Sequence, residues 1–187
     1  MAQRFKFTPT SIIDLIICER KPIVHDLGFF ARFFCEKEFK EIGLNKPIVQ
    51  MNQTLTRIKG SVRGMHFQKP PNAENKIVTC VKGKIFDVAI DIRENSPTFL
   101  QWHGEELSEE NNKSMYIPEG FAHGFQALSE NCEMFYLHTS SYNADSEGAL
   151  HWSDPLLSIK WPLTVTDVSD RDTSHSFINQ DFNGLVL

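Results

Sequence analysis

An all-β protein, a β-sandwich or jelly roll with short peripheral helices, is the architecture this sequence predicts. Three observations lead there. Short β-rich segments recur along the chain, turn-forming stretches separate them at close intervals, and few patterns have the length or the 3.6-residue period of a long helix.

In chain order, the apolar run at residues 12–18 is broken by Asp14 and is far too short to span a bilayer. Residues 35–41 form the clearest short helix. Residues 48–53 are β-rich, and residues 62–68 alternate as a strand does. Lys69-Pro70-Pro71-Asn72 is a turn. Residues 77–81, Ile-Val-Thr-Cys-Val, read as a strand, and Lys82-Gly83-Lys84 supplies the glycine of a short hairpin into the next one. In that next strand Phe86, Val88, Ile90 and Ile92 alternate with Ile85, Asp87, Ala89 and Asp91, which predicts a single apolar face. Turns follow at Asn95-Ser96-Pro97 and at residues 108–112, with further strands at 114–117 and 133–139. A turn is expected near 154–157. Residues 165–181, rich in Asp, Ser and Asn, are expected to wrap the sheet as a loop with a short helix.

The chain has 187 residues, enough for one well-buried core, and residues 1–187 are read as a single domain without repeats or linkers. Its net charge of -5 argues against a general nucleic-acid surface, which rests on clustered Lys and Arg. A nucleotide-sized anion needs only a local basic pocket. Cys18, Cys35, Cys80 and Cys132 show no paired spacing and are expected to be reduced thiols of a cytoplasmic protein. The start of the chain is polar and carries no secretion or membrane signal, so no membrane partner is expected. Most of the 15 phenylalanines are assigned to core packing.

Chemistry concentrates in Val62-Arg63-Gly64-Met65-His66-Phe67-Gln68, in Lys76, and in the later run Ile117-Pro118-Glu119-Gly120-Phe121-Ala122-His123-Gly124-Phe125. A histidine between an arginine and a glutamine sets a proton acceptor beside groups that hold phosphate and hydroxyl. With Gly28-Phe29-Phe30, Phe86-Asp87-Val88, Asp91-Ile92-Arg93, Ser96-Pro97-Thr98-Phe99, Gly104-Glu105-Glu106-Leu107-Ser108, Asp154-Pro155 and Trp161-Pro162, these segments form an ordered series over residues 24–162. The series closely resembles the dTDP-4-dehydrorhamnose 3,5-epimerase family of the cupin superfamily. That resemblance implies a cupin-type jelly-roll homodimer that needs no cofactor and acts on a nucleotide-linked 4-keto-6-deoxyhexose.

The reaction asks for a base, a group that steadies an enolate, and an acid on the opposite face of the ring. His66 is the candidate base, since an imidazole titrates near the working pH. A carboxylate should fix its tautomer. Asp172, ten residues after Pro162, stands where the family places that group, with Asp170 as a rival. Tyr136, thirteen residues after His123, matches the family's acid, against the reading of a core aromatic; Tyr142 suits a loop better. Lys76 is assigned to the charge that develops on the carbon-4 oxygen and Arg63 to the pyrophosphate or sugar. By the same resemblance Phe29, Arg32, Gln50, Asn52 and His123 surround the substrate, with His123 supporting the dyad.

Metal-binding cupins carry a His-x-His pair, a glutamate and a later histidine. Here Gln68 stands two positions after His66, so no metal is expected, and His138, His151 and His175 show no ligand spacing. Two departures from the family pattern, Leu27 where arginine is common and Met51 within Gln50-Met51-Asn52, bear on the nucleotide and the sugar. The alternatives are a 3- or 5-monoepimerase acting on a different nucleotide sugar, and a cupin that binds a sugar nucleotide without turning it over.

Overall fold

The computed structural model describes residues 3–187. The N-terminal part contributes β1 (Phe5–Pro9), β2 (Ile16–Arg20), a small hairpin of β3 (Ile23–His25) and β4 (Gly28–Phe30), and helix α1 (Glu36–Lys40). The body follows as β5 (Gln50–Thr56), β6 (Val62–Gln68), β7 (Lys76–Lys82), β8 (Lys84–Asp91), β9 (Trp102–Ser108), β10 (Lys113–Ile117), β11 (Phe121–Ala127) and β12 (Cys132–His138). The short β13 (Glu147–Ala149) and helix α2 (Asp170–Thr173) lie in the C-terminal part. One sheet has the order β1-β2-β10-β7-β12-β5 and the other β13-β6-β11-β8-β9. All strand pairs within them are antiparallel.

The strand period of two sorts the side chains into layers. Val78, Cys80, Met115, Ile117 and Met134 of the six-stranded sheet meet Ile85, Ala89, Leu107, Phe121 and Phe125 of the five-stranded sheet in the central core. The alternate residues Ile77 and Tyr116 face outward, where Phe39 of α1 and Phe5 cover them. Cys35 caps α1 at its start and Glu41 ends it, matching the expected 35–41 helix.

Two expectations are corrected. Lys82-Gly83-Lys84 is not a hairpin, because β7 pairs with β10 and β12 while β8 pairs with β9 and β11. Gly83, at φ +73°, turns the chain from one sheet into the other. Three residues with a central glycine suit either connection, and only the partners of the flanking strands decide between them. The second correction concerns β8, which is buried on both faces. Ile85 and Ala89 enter the central core, whereas Val88 and Ile90 pack under Leu157, Trp161, Ile178, Phe182 and Leu185 of the C-terminal segment. That wrapping segment turns a half-exposed sheet into a covered one.

Asp87 shares the inward face of β8 with Ile85 and Ala89 and is fully buried. At that end of the sandwich the core gives way to polar side chains, and a cavity of about 470 Å³ opens between the sheets.

Candidate active site

The cavity is lined from both walls. On the five-stranded wall, β6 and β11 supply Arg63, His66, Gln68 and His123; on the six-stranded wall, β5, β7 and β12 supply Gln50, Asn52, Lys76, Tyr136 and His138. Register explains the grouping. His66 lies directly across the ladder from His123, Tyr136 from Asn52, and His138 sits between Lys76 and Gln50.

Arg63 and His66 are three residues apart, and a regular strand would send them to opposite faces. A bulge between β6 and β11 adds one residue, pairing Phe125 with Arg63 and His123 with His66. Both side chains then face the cavity. The bulge requires glycine on both strands: a Cβ on Gly64, whose φ is +121°, would lie 2.6 Å from Gly124 Cα, and one on Gly124 would lie 2.6 Å from Arg63 O.

Behind His66 stands the C-terminal segment. A parallel bridge joins Val62 to Val168, and Ser169 Oγ caps α2 by accepting the Asp172 N–H at 3.1 Å. This docking brings Asp172 Oδ1 to 2.6 Å from His66 Nε2, while Asp172 Oδ2 accepts the Gly64 N–H at 3.2 Å. Burial alone would raise the Asp172 carboxyl, but the His66 contact and charge, with the Gly64 N–H and Ser169, outweigh it and hold the group below the usual carboxylate range. Asp170, the rival partner, is exposed.

Two more histidines on the cavity have carboxylate partners. His123 Nε2 lies 2.7 Å from Asp87 Oδ1, and His138 Nδ1 lies 2.9 Å from Glu74 Oε2. Glu74 also pairs with Lys76 Nζ at 3.0 Å. Burial would push its carboxyl up, but His138 and Lys76 together hold it low. Lys76 is therefore charge-compensated at rest. His138 Nε2 contacts Asn52 Nδ2 at 3.3 Å, and its ring stacks on that of Tyr136 at 6.1 Å between centroids.

Tyr136 packs against the central core and lines the cavity at once. Burial pushes its phenol well above the usual value, so it stays protonated at neutral pH. Tyr142 is exposed in a loop yet also reaches the lining, where its hydroxyl donates to Glu147 at 3.2 Å. Gln68 is engaged throughout: its Nε2 donates to Asn72 O at 3.1 Å and Ser141 O at 3.3 Å, and its Oε1 accepts the Asn143 N–H at 2.7 Å.

Of the residues singled out in the sequence, His66, Lys76, Tyr136, Gln50, Asn52, Arg63 and His123 line the cavity, with Asp172 directly behind His66. Phe29 and Arg32 do not. Phe29 is 67 % exposed on β4, and Arg32 pairs with Glu38 at 3.0 Å. Sequence reasoning passed over the partners Asp87 and Glu74, and set His138 and His175 aside as showing no ligand spacing. Asp87 had a signal, a carboxylate flanked by Phe86 and Val88 in the middle of β8. Asp172-Thr173-Ser174-His175 had another, since a spacing of three returns two side chains to one side of a helical turn.

Comparison with known proteins follows the same lines. A profile of the dTDP-4-dehydrorhamnose 3,5-epimerase family matches residues 9–180. The chain is 42 % identical over 173 residues to the dTDP-4-dehydrorhamnose 3,5-epimerase of Salmonella typhimurium, covering 91 % of this chain and 94 % of that one. Its fold is similar to that of the crystallised dTDP-4-dehydrorhamnose 3,5-epimerase of Elizabethkingia anophelis, with a TM-score of 0.91 and 37 % identity over 96 % of this chain and 100 % of the other. It is also similar to the Legionella pneumophila dTDP-6-deoxy-D-glucose-3,5-epimerase crystallised with dTDP-4-keto-L-rhamnose, with a TM-score of 0.90, 37 % identity and coverage of 98 % and 99 %.

Proposed function

The chain belongs to the dTDP-4-dehydrorhamnose 3,5-epimerase family, and from that premise we propose how its own residues epimerise a nucleotide-linked 4-keto-6-deoxyhexose. The observation that carries the reading is the placement of His66, with Asp172 behind it, and Tyr136 on facing walls of one cavity. A hydrogen next to a ketone is acidic because its removal leaves an enolate. His66 accepts that proton, and Asp172 fixes the tautomer and stabilises the imidazolium that forms. Negative charge moves to the carbon-4 oxygen, where Lys76 offsets it. Tyr136, protonated at neutral pH, returns a proton from the other wall, which inverts the carbon. Repetition at carbons 3 and 5 gives the double epimerisation.

The exposed guanidinium of Arg63 suits the diphosphate of the nucleotide, because its fork matches phosphate oxygens. Gln50, Asn52 and His123 position the sugar, and His123, steadied by Asp87, supports the wall beside His66.

The reading extends to a homodimer. Val24, Leu27, Phe29 and Phe30 of the β3–β4 hairpin are 78 %, 95 %, 67 % and 59 % exposed, an apolar surface that a second copy would cover. In such a dimer Phe29 and Arg32 serve the substrate from the neighbouring chain. Four free cysteines suit a cytoplasmic enzyme.

The test is incubation with a dTDP-linked 4-keto-6-deoxyhexose in heavy water, followed by proton NMR of the ring. Deuterium at carbons 3 and 5 with inversion of both is expected, and His66→Ala should abolish it. Uptake at one carbon identifies a monoepimerase, and binding without any uptake identifies a non-catalytic sugar-nucleotide binder.

A further inference from the structure

We infer that His66, Asp172 and His175 form a binding site for a divalent transition metal of the zinc class, and that its occupation silences the enzyme. A ring nitrogen of His175, a ring nitrogen of His66 and a carboxylate oxygen of Asp172 lie within 4.8 Å of one another. Two imidazoles and one carboxylate are a donor set that zinc-class ions accept, with a fourth position left for water.

A second observation is independent of that spacing. His175 Nε2 is buried and finds no hydrogen-bond partner among the described residues. A buried polar nitrogen without a partner is costly, and a cation at the dyad supplies one.

The surroundings suit a ligand set. Asp172 is 3 % exposed, and the Gly64 N–H at 3.2 Å on Oδ2 orients its carboxylate, leaving Oδ1 as the donor. Arg171, the neighbouring cation on α2, is engaged by Glu147. Metal–nitrogen bonds of about 2.0 Å put tetrahedral donors about 3.3 Å apart. The His66–Asp172 pair therefore opens slightly from its 2.6 Å contact, while rotation of His175 closes the remaining gap.

The consequence for chemistry is direct. The ion takes the place of the proton shared between His66 Nε2 and Asp172 Oδ1, so the carboxylate no longer stabilises an imidazolium and the base is withdrawn. His175 is not itself among the residues that line the cavity, so its removal weakens metal binding without removing the base.

The experiment uses the full chain without substrate. Co2+ is titrated while the ligand-field absorption is followed, Zn2+ binding is measured by calorimetry, and Zn2+ inhibition of epimerisation is measured separately. One ion per chain with a His-ligated spectrum is expected in wild type. In His175→Ala that site should be lost and the inhibition midpoint should rise by more than about tenfold, the scale on which even outer-sphere partners alter metal affinity. Should His175→Ala fail to fold, His175→Gln carries the same comparison. Wild type and the His175 variant binding Co2+ alike, or being inhibited alike by Zn2+, would overturn the inference. The binding arm stands whether or not the chain turns over the sugar used.

Discussion

Gly64 and Gly124 stand back to back across the β6–β11 ladder, with room for a Cβ on neither: one on Gly64 would lie 2.6 Å from Gly124 Cα, and one on Gly124 would lie 2.5 Å from Met65 Sδ. The bulge they permit aims Arg63 and His66 into the same cavity. Gly64→Ala and Gly124→Ala are each expected to cost about 1–3 kcal/mol of stability and to lower activity by more than the loss of folded protein explains. Urea denaturation beside activity per folded molecule checks this. Wild-type stability and activity in both variants would mean that the bulge does not set the site.

Asp172 is expected to act through His66 rather than on the substrate. Asp172→Asn should lower turnover by about 10²–10⁴-fold with little change in KM, because the amide cannot stabilise the imidazolium. Asp170→Asn, at an exposed position, should behave as wild type. The reverse pattern in steady-state kinetics would reassign the dyad.

Tyr136→Phe keeps the ring that packs on the core and removes the acid. Deuterium uptake through His66 should continue while inversion falls sharply, a separation that a purely structural tyrosine cannot produce. NMR of ring-proton exchange alongside product stereochemistry measures both. Joint loss of uptake and inversion, with a lowered melting temperature, would return Tyr136 to the core.

Glu74 ties stability to acid pH. Its folded-state carboxyl is held below the ordinary value of 4.5: burial opposes this, and His138 and Lys76 overcome it. A depressed carboxylate contributes stability that is fully present above the unfolded value and lost as pH falls through the folded one. Glu74→Gln should therefore cost about 1–3 kcal/mol near neutral pH and progressively less below pH about 4.5. Urea unfolding of both proteins across that window tests it; a difference that persists unchanged at the acid end would remove Glu74 as the cause.

Exhaustive chelation is expected to leave turnover intact in metal-free protein and to raise it in protein loaded with zinc. The carboxamide of Gln68, where a metal cupin has its second histidine, is occupied by Asn72, Ser141 and Asn143. Stoichiometric metal whose removal abolishes activity would refute this.

The sequence by itself determined most of the residues on the cavity and the strands that carry it, except β11, whose Phe121–Ala127 it left without a strand assignment. Alternation in residues 85–92, the glycines around His66 and His123, and the ordered family segments are local properties, written in side-chain polarity and backbone freedom. Helix α1 was legible for the same reason, through its own short pattern. Which sheet each strand joins was decided by tertiary structure alone: Lys82-Gly83-Lys84 suits a hairpin as well as a crossing, and the pairing energy lies in strands remote along the chain. The second buried face of β8 came from a tail about seventy residues or more away. So did the choice between Asp172 and Asp170, which the Val62–Val168 bridge and the Ser169 cap settle by rotating one carboxylate toward His66 and the other to solvent. The pairs His123–Asp87 and His138–Glu74 belong to the same class, since contact between side chains 36 and 64 residues apart exists only once the two walls have folded.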